Sequence, residues 1–266
     1  MQVYRGMDIG TAKPTRAEQS EVPHHLLDIC EPDDDYTVSR FQHDCLEVLA
    51  GIESRGHRAL LVGGTGLYVR AITDDLEIPG VHPETRAELD AESDTTVLFA
   101  RLAQLDPAAA TRMEPTNRRR VLRALEVTIG SGRPFSSFGP GLEVHPPAPF
   151  PIIGLDMSRD LLDRRIGDRY DRQLEDGFVA EVSGLLARSA GLGRTARQAL
   201  GYAEILDHLE SGAALDEAMV AAVARTRRFA RRQQRWFGRD PRIRWIATDG
   251  QVDDNALAAL AETLVD

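Results

Sequence analysis

The chain has 266 residues and a mass of 29.3 kDa, enough for one large domain or two modest ones. It is 42% hydrophobic, which excludes wholesale disorder. The formal net charge is −10, which taken as a mean argues against a polyanionic partner.

The opening, MQVYRGMDIGTAKPT, is polar and punctuated by glycine and reads as a loop. Residues 37–55 place Val38, Phe41, Cys45, Val48, Leu49 and Ile52 at helical spacing, with Thr37 or Ser39 as the cap. Arg58 to Val62 is a short apolar run predicted as a strand. It ends in Gly63-Gly64-Thr65-Gly66, and Leu67 to Ile72 then reads as a helix. A strand, glycine turn and helix in that order are the unit of an α/β sheet whose strand ends face a ligand.

The composition shifts near residue 74. DDLEIPGVHP reads as a linker, and Pro83 to Leu105 as an acidic helical stretch. Two helices follow, separated by Pro115-Thr116-Asn117. GPGLEVHPPAPFP (139–151) is a second linker, and PIIGLDM (151–157) is a buried-strand candidate. Helices are predicted at about 158–173, 176–189, 196–211 and 215–237, with a last strand at 242–248. The expected architecture is α/β, residues 1–78 and 146–266 forming the core and 79–145 a helical insertion.

Cys30 and Cys45 are the only cysteines and lack metal or disulfide spacing, so they read as buried thiols. The adjacent His24 and His25 project to different sides of an extended chain and form no shared metal site. No apolar run is long enough to span a membrane, and the N-terminus shows no signal-peptide core. The expected compartment is the cytoplasm.

Four features could carry chemistry. The GGTG turn either admits a ligand to the backbone, with Thr65 at its mouth, or is a tight turn with a satisfied threonine. It is not a GxxxxGK[ST] loop, which occurs nowhere in the chain. Asn117 to Arg120 with Arg123 puts arginines on one helical face, either solvated or set against phosphate. Arg165 and Arg169 lie four apart on one face, either paired with Asp163, Asp168 and Asp171 or clamping a small diphosphate. The strongest feature is residues 225–244, with nine arginines and one acid, Asp240. That segment carries +8 and leaves −18 on the remainder. Arg225, Arg228, Arg232, Arg235 and Arg239 follow helical spacing as one stripe, and Phe229 and Trp236 are expected to anchor another face. Like charges at i,i+4 are mutually destabilising, so a bound polyanion is the expected compensation. Lys13 is the only lysine, so 31 of the 32 basic residues are arginine, the side chain whose planar fork suits phosphate.

Together the blocks QVYRGMDIGTAKPT (2–15), VPHHLLDICEP (22–32), LLVGGTGLYVRAI (60–72), NRRRVLRALEV (117–127), ARQALGYAE (196–204) and RTRRFARRQQRWF (225–237) resemble the tRNA dimethylallyltransferase family, in that family's order and across nearly the whole chain. The resemblance implies a parallel-sheet core like that of P-loop kinases, with a helical insertion that grips the anticodon stem-loop of tRNA. It implies transfer of a dimethylallyl group from dimethylallyl diphosphate to N6 of the adenosine 3′ of the anticodon, with Mg²⁺ escorting the diphosphate.

Carried over by position, Gln2 matches the glutamine that reads the target adenine, an amide being suited to adenine's paired donor and acceptor. Thr65 matches the threonine beside the flipped base and is the catalytic candidate. Arg86, the segment Arg119, Arg120, Val121, Leu122 and Arg123, and the block Arg197, Gln198, Gly201 and Tyr202 match RNA-contacting positions. Arg228, Arg232 and Arg235 carry the stripe. Arg165 and Arg169 match basic positions near the diphosphate. The expected partners are tRNA and dimethylallyl diphosphate, with no membrane and a monomeric chain.

One departure stands beside the match. In the family a strand, a P-loop, a helix and a second strand ending in Asp-Ser precede the block that opens this sequence. That part holds the P-loop lysine and the aspartate general base. Three readings stay open: an internal Met taken as the start, a non-catalytic RNA-binding remnant, or a sister enzyme that prenylates free adenine nucleotides. The insertion and the basic helix argue against the last.

Overall fold

The computed structural model describes residues 1–248. Its elements in chain order are α1 (Arg16–Glu21), α2 (Val38–Ser54), α3 (Gly66–Thr73), α4 (Pro83–Asp90), α5 (Thr95–Leu105), α6 (Pro107–Ala110), α7 (Arg118–Ser131), β1 (Ile152–Met157), α8 (Arg159–Glu175), α9 (Phe178–Leu186), α10 (Arg194–Arg197), α11 (Tyr202–Ser211), α12 (Leu215–Phe237) and β2 (Ile243–Thr248). The chain divides into two compact units, Met1–Gly66 with Pro149–Asp266, and Leu67–Ala148. The helical insertion expected at 79–145 lies within the second.

In the first unit β1 and β2 pair in parallel, from Ile152 opposite Ile243 to Met157 opposite Thr248. Tyr4 and Cys30 form one further parallel bridge. The core is mostly helical. Ile166 and Tyr170 of α8, Phe178 and Val182 of α9, and Tyr202 and Ile205 of α11 close over Tyr4 and Met7. Both cysteines are buried free thiols, and burial pushes each thiol above its ordinary pKa.

The strand predicted at Arg58–Val62 does not form. The segment pairs with no strand among the described residues, and Leu60 and Val62 are 70% and 88% exposed. Apolar composition alone does not make a strand, because its backbone groups need a neighbour to bond. The helix predicted over 196–211 splits into α10 and α11 at Gly201, whose φ of +83° places it in the left-handed region. A Cβ there would lie 2.8 Å from the Phe178 ring, so glycine is required twice over. Glu204 accepts from the Gly201 N–H at 2.9 Å and starts α11.

In the second unit α4, α5 and α7 pack around Leu89, Leu98, Leu102, Val121 and Leu125. The expected stretch Pro83–Leu105 breaks after Asp90, because Asp94 caps α5 by accepting from the Thr96 N–H at 2.7 Å. Arg70, buried in α3, pairs with Asp74 and donates to the carbonyls of Leu142 and Val144, fastening the return linker.

Asp106 is a buried cap. Its carboxylate accepts from the Ala109 N–H at 2.9 Å and from the Ser136 N–H and hydroxyl, both at 2.7 Å. Burial pushes the carboxyl pKa up, but the bonds from Ser136 and Ala109 outweigh it and hold the group below the ordinary aspartate range. Its contribution is therefore present above the unfolded pKa and lost as pH falls through the folded one. Asp106→Ala is expected to cost about 1–3 kcal/mol at neutral pH. The cost should shrink steadily in acid, as read by urea unfolding at a series of pH values. A cost independent of pH would refute the capping account.

Candidate functional site

The GGTG turn meets α12. Gln233 donates from Nε2 to the Gly64 carbonyl at 2.7 Å. A Cβ on Gly64 would fall 2.4 Å from that nitrogen, and one on Gly66 would fall 2.0 Å from the Trp236 indole. Gly66 is therefore needed for the close approach of the Trp236 ring and Gly64 makes room for the Gln233 amide, whereas Gly63 faces open space. Thr65 is exposed between them. Trp236 was expected to anchor the core, but it lies against this turn and stays 38% exposed.

The contact brings α12, the helix that carries the basic stripe, against the turn that holds Thr65. Arg228, Arg232, Arg235 and Arg239 are exposed and have no carboxylate partner among the described residues. Arg232 lies over the Phe229 ring at 5.7 Å. Arg225 does not belong to this free set. It pairs with Glu204 at 2.8 Å and donates to the Gln198 carbonyl. Arg227 turns the other way, donating to the Asp163 carbonyl.

The opening loop is tied by many hydrogen bonds. Gln2 donates from Nε2 to the carbonyls of Thr11 and Ala12 at 3.1 and 3.0 Å. The Glu181 carboxylate accepts the backbone N–H groups of Asp8, Ile9 and Gly10 and the Tyr202 hydroxyl. Burial, and then Glu181, push the Tyr202 phenol well above its ordinary pKa. Lys13 is sealed, 4% exposed, and ion-paired with Asp8 and Asp28.

In the second unit Arg119 and Arg120 are exposed on α7. Val121 and Leu122 are in the core, at 0% and 2% exposure, and seat the helix. Arg123 is held by Glu126 at 2.7 Å and by the Pro79 and Gly80 carbonyls. Arg86 pairs with Asp90 at 2.9 Å and approaches Glu126 at 3.7 Å.

The family model for IPP transferase matches residues 2–240. The chain belongs to the IPP transferase family. It is 46% identical over 264 residues to the tRNA dimethylallyltransferase of Bifidobacterium longum, covering 98% of this chain and 79% of that one. It is 49% identical over 254 residues to that of Kineococcus radiotolerans, covering 94% and 80%. Among solved structures it resembles the tRNA isopentenylpyrophosphate transferase of Bacillus halodurans, with a TM-score of 0.69 and 36% identity over 99% of this chain and 86% of that one. It also resembles a eukaryotic dimethylallyltransferase acting on tRNA, with a TM-score of 0.80 and 25% identity, covering 100% and 71%.

The remaining positions divide by burial. Arg197 is half-buried and holds Glu210 through both carboxylate oxygens, while Gln198 is exposed. Gly201 and Tyr202 are buried and shape the floor of the opening loop. Arg165 and Arg169 are exposed on α8. Arg169 borders a hollow of about 540 Å³, shared with Lys13, Arg16, Arg172 and Gln173. Glu181 and the tie at Lys13 were not singled out from sequence. A signal existed for the second, since a lone lysine amid 31 arginines, in a loop near Asp8 and Asp28, marks a place where an ammonium is wanted.

Proposed function

We propose that this chain transfers a dimethylallyl group from dimethylallyl diphosphate to N6 of the adenosine 3′ of the anticodon in tRNA. One observation carries the reading: α12, which carries a row of exposed arginines without carboxylate partners among the described residues, packs through Gln233 and Trp236 on the glycine turn that holds the exposed Thr65. The arginines fit the phosphates of a stem-loop. Thr65 offers a hydroxyl to a base that has left its stack. Arg119 and Arg120 supply a second cationic contact on the helical unit, and Gln198 is the accessible member of its block.

In the transfer, N6 bonds to the allylic carbon as the carbon–oxygen bond to the diphosphate breaks, and N6 gives up one proton, which the released diphosphate or water takes up. Charge builds on the leaving diphosphate, and Arg169, with Arg165 one turn earlier, is the cationic group assigned to it. Mg²⁺ is implied by the resemblance, and such an ion is commonly held by one or two carboxylates together with the substrate's phosphates. Among the described residues one cluster of three metal-ligating side chains is found, His43, Asp44 and Glu47. It includes no residue assigned to the diphosphate, and Asp44 already accepts from the Tyr36 hydroxyl. No step is derived through the metal.

A second reading is RNA binding without transfer: Lys13, the only lysine, is already paired with Asp8 and Asp28 and is not a free diphosphate ligand. On that reading the 266-residue polypeptide binds stem-loop RNA while turning over slowly or not at all. Incubation with anticodon stem-loop RNA and labelled dimethylallyl diphosphate checks this, and turnover at the rate of a Bifidobacterium relative assayed in parallel would overturn it. Adenosine monophosphate as acceptor separates the sister activity. We infer a monomer. No helix among the described residues is long and apolar enough to cross a membrane.

A further inference from the structure

The Gln2 amide has a fixed orientation. Its nitrogen donates to two backbone carbonyls, those of Thr11 and Ala12. A carbonyl can only accept, so the flipped amide would set three oxygens against one another. Both amide hydrogens are spent inside the protein. Oε1 is the atom left for a ligand, and it can only accept.

The two carbonyls are themselves held in place. Ala12 has a φ of 48°, in the left-handed region that is sterically unfavourable for a residue with a Cβ. Strain of this kind persists only where surrounding bonds enforce it. Those bonds converge on Lys13. Its N–H donates to the Asp8 carbonyl at 3.0 Å. Its ammonium reaches the Tyr4 carbonyl at 2.9 Å and the carboxylates of Asp8 and Asp28, both at 2.5 Å. All three ammonium donors are used. Asp28 is also left-handed, with φ of 54°, and its N–H donates to the backbone carbonyl of Gln2 at 3.2 Å. One buried cation therefore ties the turn that faces the Gln2 side chain to the segment that holds the Gln2 backbone.

We propose that Lys13 is a positioning residue. It enforces the turn at Ala12 and so makes Gln2 an acceptor that selects a base edge bearing an exocyclic amine. The inference rests on the reading of Gln2 as the contact to the target base, and it specifies which atom reads and what sets it. Adenine presents an amine at this edge, and a base with a carbonyl there would meet Oε1 oxygen to oxygen.

The experiment is binding of three anticodon stem-loops to the 266-residue chain. They carry adenosine, purine riboside (hydrogen in place of the amine) or inosine (carbonyl in its place) at the target position. Purine riboside is expected to bind roughly tenfold more weakly than adenosine, and inosine more weakly again. Lys13→Met is expected to bring the three affinities together while leaving the salt dependence, set by the arginines, unchanged. A purely structural lysine would lower the melting temperature and weaken all three RNAs equally. Asp28→Asn keeps an oxygen acceptor on Lys13 and is the milder second variant, expected to move the ratios the same way. Equal wild-type affinities with salt-dependent binding would overturn this proposal alone. Undiminished ratios in a folded Lys13→Met or Asp28→Asn protein would do the same. Absence of salt-dependent binding to any stem-loop would overturn the functional reading as well.

Discussion

Changing Arg228, Arg232 and Arg235 together to glutamine is expected to weaken anticodon stem-loop binding at least tenfold at low salt. The slope of log affinity against log salt should fall by about 2–3, close to one unit per phosphate contact removed. All three side chains are exposed on α12 and lack a carboxylate partner among the described residues, so neutralising them breaks no ion pair there and removes only the exposed contact of Arg232 with the Phe229 ring. Removing three like charges from one helix face should if anything raise the melting temperature slightly. The loss should be equal for every RNA sequence, because phosphates carry no sequence information. Arg225→Gln is the contrast. It leaves Glu204 without its ion-pair partner, so it should cost stability and barely change the salt slope. Fluorescence anisotropy across a salt series gives both numbers. An unchanged slope in the triple variant would remove α12 from the RNA interface.

Phe178→Ala is the largest stability effect expected, about 3–5 kcal/mol by urea unfolding. The ring is 0% exposed and meets Tyr202 edge to face, with centroids 4.9 Å apart. It also fills the space that a Cβ on Gly10 or Gly201 would need. Truncation thus empties the wall between α9, α11 and the opening loop. The backbone N–H groups of Asp8, Ile9 and Gly10 would remain on Glu181, but the ring backing them would be gone. Domains are stable by about 5–15 kcal/mol in total, so this one change would bring the first unit close to unfolding at 37 °C. A loss below about 1 kcal/mol would mean that the site collapses around the missing ring.

The stripe on α12 was legible because helical spacing reports a face directly. Which arginines of a face are already paired was not, because the partner is fixed by tertiary packing. Arg225 meets Glu204 from another helix, and Arg123 meets the carbonyls of Pro79 and Gly80. The glycines of the GGTG turn were visible as a motif. That Gly64 and Gly66 make room for Gln233 and Trp236, some 170 residues on in the case of Gln233, was not. The run at 58–62 misled for the converse reason. Its composition suits a strand, yet strand formation belongs to the neighbours. The helices were read well in type and poorly in boundary. Asp94 and Gly201 interrupt stretches whose apolar spacing alone runs straight through.

Lys13 has a consequence for regulation. Acetylation erases the charge of a lysine and is a common way to loosen a protein from nucleic acid. Here the cationic surface is built from arginine, which that chemistry does not touch, and the one lysine is enclosed with two carboxylates. The affinity of this chain for a polyanion is thus insulated from the acetylation state of the cell. Guanidinium groups also stay charged at every pH at which the protein folds. Control of the interface is left to modification of arginine itself, to ionic strength and to the supply of RNA.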